Sequence, residues 1–529
     1  MMRRSKIAVA IIFISLFGLA IRISILAVDE SVKSVGLSQG SRTITVAEVR
    51  GTIYDRYLTP LVNDNVVHYA TILPQERLLQ HVAYAMDSND FSQAKAALDN
   101  QLPLLLKLHS TVDPIEGLQQ YTAPMRYGKR CLAPHLLGYL NGANTAGISG
   151  LEKAYNNELR RQSGHITTTY PTNGRGEYLV GEELRIENTI ERSRGGLVLT
   201  LDSTIQKCIE DVLAANVSKG AAVVMNLNGE LLASASYPSF RPENAVDHFD
   251  LNDGSLLNRA FSLYDCGSVF KIVTVLAALE NGVSLNQSYE CPGSITVDGH
   301  IFHCHQRLGH QWLTMDEAFA QSCNVYFVQL AQQIGANTLL DMVDLLGLNE
   351  DVVLANDMVI PSAILPSAED LSAPAALANF SFGQGRLMIT PLHVTRMTAV
   401  AATGGILPSP SVVMSVIDEQ GNPSEQPTRG GETVISARSA LKLRHMMEAV
   451  VSDGTGKAAQ TKQGNAAGKT GTAETGQIDH ERTINHSWFT GYYPTDTPKY
   501  IITVLVEDHQ PNQESAAGLF CEIINNLNE

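Results

Sequence analysis

The stretch GSVFKIVTVLAALE, residues 267–280, is apolar nearly all round once wound into a helix. A helix without a polar face has to be covered from every side, so it demands a domain large enough to wrap it. Ile272, Val273, Val275, Leu276 and Leu279 place this helix at the centre of a fold. Two polar residues nevertheless stand at its start. Ser268 and Lys271 are three apart, on one face, with Cβ atoms about 5 to 6 Å from each other. Gly267 lets the chain turn sharply, which sets Ser268 in the first turn, where backbone N–H groups have no intrahelical partner. A hydroxyl there can act as a nucleophile and the N–H groups can hold an oxyanion. Lysine at the start of such a helix is expensive to bury unless it is used. To serve as a base it must be neutral, which requires burial or a second cation nearby.

Spacing alone settles nothing. The same S-x-x-K recurs at Ser439 and Lys442, inside ISARSALKLRHMMEAV, where it reads as the solvated face of a helix. Two further elements add weight. In AFAQSCNVYF, Ser322 and Asn324 lie at a helix end or turn where a hydroxyl and an amide can face a cleft, although S-x-N also occurs at Ser284 and Asn286. In NAAGKTGTAET, Lys469, Thr470, Gly471 and Thr472 read as a strand edge. Alternation puts Lys469 and Gly471 on one face, and glycine there admits close approach by a substrate backbone.

A chain of 529 residues predicts about two to four domains. Its net charge of −16 argues against nucleic acid as a partner. Residues 7–28 are apolar over roughly 33 Å, enough to span a bilayer, and follow two arginines and a lysine. They read as an uncleaved anchor with residues 1–6 cytoplasmic, the rest of the chain outside, and Arg22 snorkelling to the outer interface. Residues 29–194 form a mixed region. It opens with the strand-like SRTITVAEV, continues with helices over Gln75–Met86 and Ser92–Leu108, and has another helix in GISGLEKAYNNELRRQSG.

A second domain starts at Gly195. The strand LVLTL leads into Asp202 and Ser203 as helix caps, and AAVVMNLNGELLASASY is a hairpin around Asn228-Gly229. Three strands and a helix close the chain. Strands at both ends with helices between them predict an α+β domain whose antiparallel sheet draws on both ends of its sequence. Seven cysteines are too scattered for a disulfide scaffold. Cys291 and Cys304 flank a polar loop and could be bridged. His303, His305 and His310 are near, but the spacing fits no zinc pattern, and no metal is expected.

Taken together and in this order, Ser268-x-x-Lys271, Ser322-x-Asn324 and Lys469-Thr470-Gly471 resemble the three-motif active site of the serine penicillin-recognising enzymes. RGTIYDR at 50–56, GISGLEKAY at 147–155 and FGQGRLMITPLH at 382–393 are similar to segments of class B penicillin-binding proteins. The resemblance implies a membrane helix, an elongated extracytoplasmic pedestal, and an α+β transpeptidase domain with an antiparallel sheet flanked by helices and an all-helical subdomain. It also implies peptidoglycan D,D-transpeptidation without a cofactor, on stem peptides and lipid-linked precursors, and acylation by β-lactams.

Residue by residue, the resemblance implies Ser268 as nucleophile, Lys271 as its base, Lys469 as the cation that helps keep Lys271 neutral, Ser322 as proton relay and Asn324 as the group orienting Lys271. Thr470 and Thr472 would bind the substrate carboxylate, and the N–H groups of Ser268 and Thr472 would form the oxyanion hole. Cys266 and Cys323 depart from the usual pattern and are taken as packing residues. A glycan polymerase of the SEDS type is the implied membrane partner. The alternatives are a D,D-carboxypeptidase or β-lactamase using the same acyl-enzyme, a penicillin sensor, and a catalytically degenerate scaffold.

Overall fold

The computed structural model describes residues 12–22, 24, 40–142, 144–173, 178–179, 183–190, 195–251, 253–425, 430–479, 482–510 and 512–528. Two compact units divide the chain. The first takes residues up to 51, 63–126 and 162–194, and the second takes 52–62, 127–161 and 195–529. Segments 52–62 and 127–161, which sequence grouped with the first domain, thus pack within the second. The reason is visible at RGTIYDR. Thr52–Tyr54 pairs in parallel with Gly196–Leu199, and the buried Asp55 carboxylate accepts the N–H groups of Tyr57 and Thr59 and the hydroxyl of Ser203.

Of the expected anchor over 7–28, only 12–22 and residue 24 are described. Residues 12–22 are helical with apolar side chains exposed, Phe13, Ile14 and Phe17 among them. Among the described residues no helix is long and apolar enough to cross a membrane.

Besides the helix at 12–22, the described residues of the first unit form two three-stranded antiparallel sheets and the helices Glu76–Val82 and Ser88–Ala97. The helix expected over Ser92–Leu108 stops at Ala97. Gln101 adopts a left-handed backbone, Pro103 disfavours helix at the residue before it, and Leu104–Leu108 becomes a strand that buries Leu106 and Leu108 while exposing Leu105 and Lys107. An apolar run of leucines serves either period. Here the neighbouring strand Asn65–Ile72 decided.

In the second unit we label the helices α1 (Ser203–Asn216), α2 (Lys271–Glu280), α3 (Asn324–Ile334), α4 (Pro391–Ala402), α5 (Ala437–Ser452) and α6 (Ala516–Leu527). The strands of its main sheet are β1 (Gly220–Met225), β2 (Leu231–Tyr237), β3 (Ala467–Asp479), β4 (Arg482–Tyr493) and β5 (Tyr500–Val506). They run antiparallel in the order β2-β1-β5-β4-β3, so the two ends of the sequence meet at the β1–β5 ladder. Asp202 caps α1 as expected, accepting from the N–H groups of Thr204 and Ile205.

Both faces of the sheet are covered, which is why β1 and β5 are apolar at nearly every position. Ala222, Val224, Ile502 and Val504 pack under Ile209 and Leu213 of α1 and Phe520 and Ile524 of α6. Ala221, Val223, Met225, Ile501 and Leu505 face the larger core, which contains α2 and α4. Nine consecutive residues of α2, Lys271 to Leu279, are buried, as its apolar circumference requires. The region between the two halves of the sheet is not purely helical. Two-stranded ladders at 289–291/311–313, 294–297/300–303 and 352–355/358–360 interrupt the helices.

Candidate active site

Ser268 sits in a 3-10 turn, Gly267–Phe270, that runs straight into α2 at Lys271. The sequence placed it in the first α-helical turn. The tighter winding keeps Ser268 and Lys271 on one side and packs the turn against β3, the edge strand of the sheet. Gly267 has φ +55°, a left-handed backbone that glycine adopts without penalty. A Cβ there would overlap the Thr472 carbonyl. Gly471 is equally constrained, since a Cβ on it would lie 3.0 Å from the Cys266 carbonyl oxygen and from Val269. What approaches Gly471 closely is therefore the serine turn itself.

Gly267→Ala should force this strand and turn apart. A displacement near 1 Å costs about 100-fold in rate when the reacting groups are aligned. Time courses of covalent labelling by a fluorescent penicillin should show a loss of that order, and an unchanged rate would mean that the turn and β3 can separate freely.

Lys271 and Lys469 are both completely buried. The Lys271 ammonium donates to the Ser322 carbonyl at 2.7 Å, to Asn324 Oδ1 at 2.7 Å and to Ser322 Oγ at 3.2 Å. Lys469 Nζ reaches the same Ser322 hydroxyl at 3.0 Å and the Thr470 carbonyl at 2.9 Å. Ser322 is thus the shared point of two lysines, and it holds a left-handed φ of +52°, unusual for a residue with a side chain. Phe327 lies 5.2 Å from Lys271 Nζ and Phe319 lies 5.5 Å from Lys469 Nζ, so each cation faces a ring.

Burial lowers Lys271 to about 7. Burial and the neighbouring Lys271 charge together push Lys469 well below the ordinary lysine range. Desolvation is therefore the cause for Lys271, and the repulsion between the two lysines falls on Lys469. Two ammonium groups sharing one hydroxyl without a carboxylate among their hydrogen-bond partners titrate as a pair, and the site resists holding both protons at neutral pH.

A cleft of about 570 Å³ opens onto Ser268, Ser322, Asn324, Thr470, Gly471 and Thr472. The Ser268 side chain is half-buried, and among the described residues its hydroxyl has no hydrogen-bond partner. Cys266 is fully buried, its thiol directed at the Gly383 carbonyl and raised in pKa by burial, as suits a packing residue. Sequence reasoning missed Thr455, whose hydroxyl meets Thr470 Oγ1 at 2.7 Å, and Trp488, which lines the same cleft. Thr455 lies in a Gly-Thr-Gly turn, a signal of loop but not of site.

The decoy motifs separate cleanly. Ser284 takes the Asn286 N–H in a local turn. Ser439 is buried instead of solvated, because it lies in the first turn of α5 and its hydroxyl takes that of the cap residue Ser436.

The likeness to known proteins agrees with this geometry. A family model described as penicillin binding protein transpeptidase domain matches residues 220–525. Stage V sporulation protein D of Bacillus subtilis is 26% identical, the match covering 99% of this chain and 86% of that protein. Peptidoglycan D,D-transpeptidase PbpA of Mycobacterium tuberculosis is 30% identical over 65% of this chain and 74% of its own length. The crystal structure of penicillin binding protein 3 from Mycobacterium tuberculosis complexed with aztreonam superposes with a TM-score of 0.65 at 24% identity, covering 92% of this chain and 96% of that one. The chain belongs to the penicillin-binding protein transpeptidase family. Within it, the chain is a class B protein, a serine D-Ala-D-Ala transpeptidase of peptidoglycan.

Proposed function

We propose that Ser268 attacks the carbonyl between the two terminal D-alanines of a stem peptide, releasing D-alanine and forming an acyl-enzyme that an amine of a neighbouring stem peptide resolves. The observation that carries the reading is the meeting of Lys271 and Lys469 on the Ser322 hydroxyl, at 3.2 and 3.0 Å, beside the cleft onto which Ser268 opens.

Neutral Lys271 takes the Ser268 proton, and Asn324 holds the amine in place through its Oδ1. Ser322 passes a proton to the leaving amine. The substrate carboxylate binds at Thr470 and Thr472 and favours the charged form of Lys469, which in turn disfavours a proton on Lys271. Gly471 keeps β3 against the serine turn, and the N–H groups of Ser268 and Thr472 stabilise the oxyanion. Loss of one such donor costs about 2.7 to 4 kcal/mol in comparable sites.

Around this centre the proposed organisation is a cytoplasmic tail at 1–6, a membrane anchor at 7–28, an extracytoplasmic pedestal drawn from 29–194 without the segments 52–62 and 127–161, and a transpeptidase domain of 195–529 that takes in those two segments. In this arrangement the enzyme works at a fixed height above the membrane beside a SEDS-type glycan polymerase. The apolar run at 7–28 after a basic start supports the anchor. β-Lactams acylate the same serine.

Intact-mass analysis after incubation with a penicillin should show a single stable adduct, and peptide mapping should place it on Ser268. An adduct on Cys266 or another residue overturns the nucleophile assignment, and absence of any adduct favours the degenerate scaffold.

A further inference from the structure

Beside the second motif, four side chains that acyl transfer does not use converge on one point. Cys291 ends the strand at 289–291, Cys304 follows the strand at 300–303, His310 precedes the strand at 311–313, and Cys323 caps α3. Their ligand atoms all lie within 4.8 Å of one another. The three cysteines are essentially inaccessible, at 0%, 1% and 0% exposure in chain order, and none of the seven cysteines is bridged. Cys291 and Cys304, a pair that the sequence left open to bridging, are both free thiols.

Two edges of the cluster test its shape. Cys304 Sγ is 3.9 Å from Cys323 Sγ and 3.6 Å from His310 Nδ1. A tetrahedral zinc ion with Zn–S near 2.3 Å and Zn–N near 2.0–2.1 Å requires S···S edges of about 3.8 Å and S···N edges of about 3.5 Å. A disulfide would instead bring the sulfurs to about 2.05 Å.

The loop that supplies three of the ligands is built for this approach. The Cys304 N–H donates to the Gly293 carbonyl and the His310 N–H to the Cys291 carbonyl, each at 2.9 Å. Gly293 and Gly309 adopt φ of +100° and +80°, and a Cβ on them would overlap the carbonyls of Arg307 and Cys291 respectively.

We propose that Cys291, Cys304, His310 and Cys323 form a closed tetrahedral zinc site that positions the second motif. All four positions are protein ligands, so the metal has no open site for substrate and acts structurally. Cys323 stands between Ser322 and Asn324, so a metal bond to its sulfur fixes the segment from which both side chains leave the backbone. Asn324 Nδ2 also donates to the His303 carbonyl at 3.2 Å, which ties the same segment to the ligand-bearing loop. The zinc thereby holds Ser322 in its left-handed conformation between the two lysines. This goes beyond the acyl-transfer reading, and metal content is measured without reference to acylation.

Full-length protein purified under reducing conditions should contain one zinc per chain by elemental analysis. Titration with an organomercurial should release that zinc in step with modification of three thiols. Cobalt(II) exchange should give the intense visible absorption of a tetrahedral thiolate site. His310→Ala should lose the zinc and slow penicillin labelling about 10- to 100-fold, the range seen when the support of a metal site is lost. His310→Cys, which restores four ligands, should regain both. Protein that takes up no zinc on incubation with it, or metal-free protein that labels at the wild-type rate, overturns the proposal, as does a Cys304–Cys323 disulfide in the active, unreduced protein. If His310→Ala fails to fold, the mercurial titration on the wild-type chain decides alone.

Discussion

Ser268→Ala is expected to eliminate covalent labelling by penicillin and to reduce transpeptidation on the order of 10⁶-fold, the scale seen when a serine nucleophile is removed from a unit of cooperating residues. The fold should not notice. Ser268 is half-buried and its hydroxyl has no hydrogen-bond partner among the described residues, so the change orphans no buried group. Its effect on stability should stay within about 0.5 kcal/mol. Labelling and melting temperature measured on the same preparation separate the two outcomes. Stoichiometric label on the alanine variant would mean that another residue is the nucleophile.

Lys271→Met should cost about 10² to 10⁴ in acylation rate, the usual contribution of a general base, and should remove the pH dependence near neutrality. The wild-type lysine acts only when deprotonated. With its pKa lowered by burial to about 7, the rate should rise through pH 7 and level off above it. Because Lys469 shares Ser322 with it, the observed midpoint belongs to the pair.

Stability should move in the same direction. The unfolded lysine titrates near 10.4, so between about 7 and 10.4 the unfolded chain binds the proton that the folded chain has released, and stability rises with pH over that window. Below about 7 both states are protonated and the burial penalty is present in full. Methionine fills the volume without a charge and should flatten this slope. Denaturant melts at several pH values, set beside single-turnover acylation rates, test both halves. A variant that keeps the wild-type pH limb would show that Lys271 is not the base.

The elements legible in sequence were those whose own pattern admits one outcome. The Asn228-Gly229 hairpin, the Asp202 cap and the burial of α2 all followed from local chemistry. The leucines at 104–108 were misread as helix because an unbroken apolar run carries no period, and the ladder to Asn65–Ile72 supplied it. Ser439 was misread as solvated because a serine near a helix start can either face water or serve the cap.

Residue types, order and the glycine before Ser268 were fixed by the chain itself, and three distant motifs sufficed to indicate acyl transfer. Only the folded chain decided the electrostatics. The lowered pKa of Lys271 comes from removing water around it, a property of neighbours contributed by segments tens to hundreds of residues away, and no spacing encodes it. The same holds for the cysteine and histidine cluster. Its ligands are separated by loops that follow no zinc spacing, and they meet because short ladders and two close-approach glycines bend the chain until four soft donors share one centre.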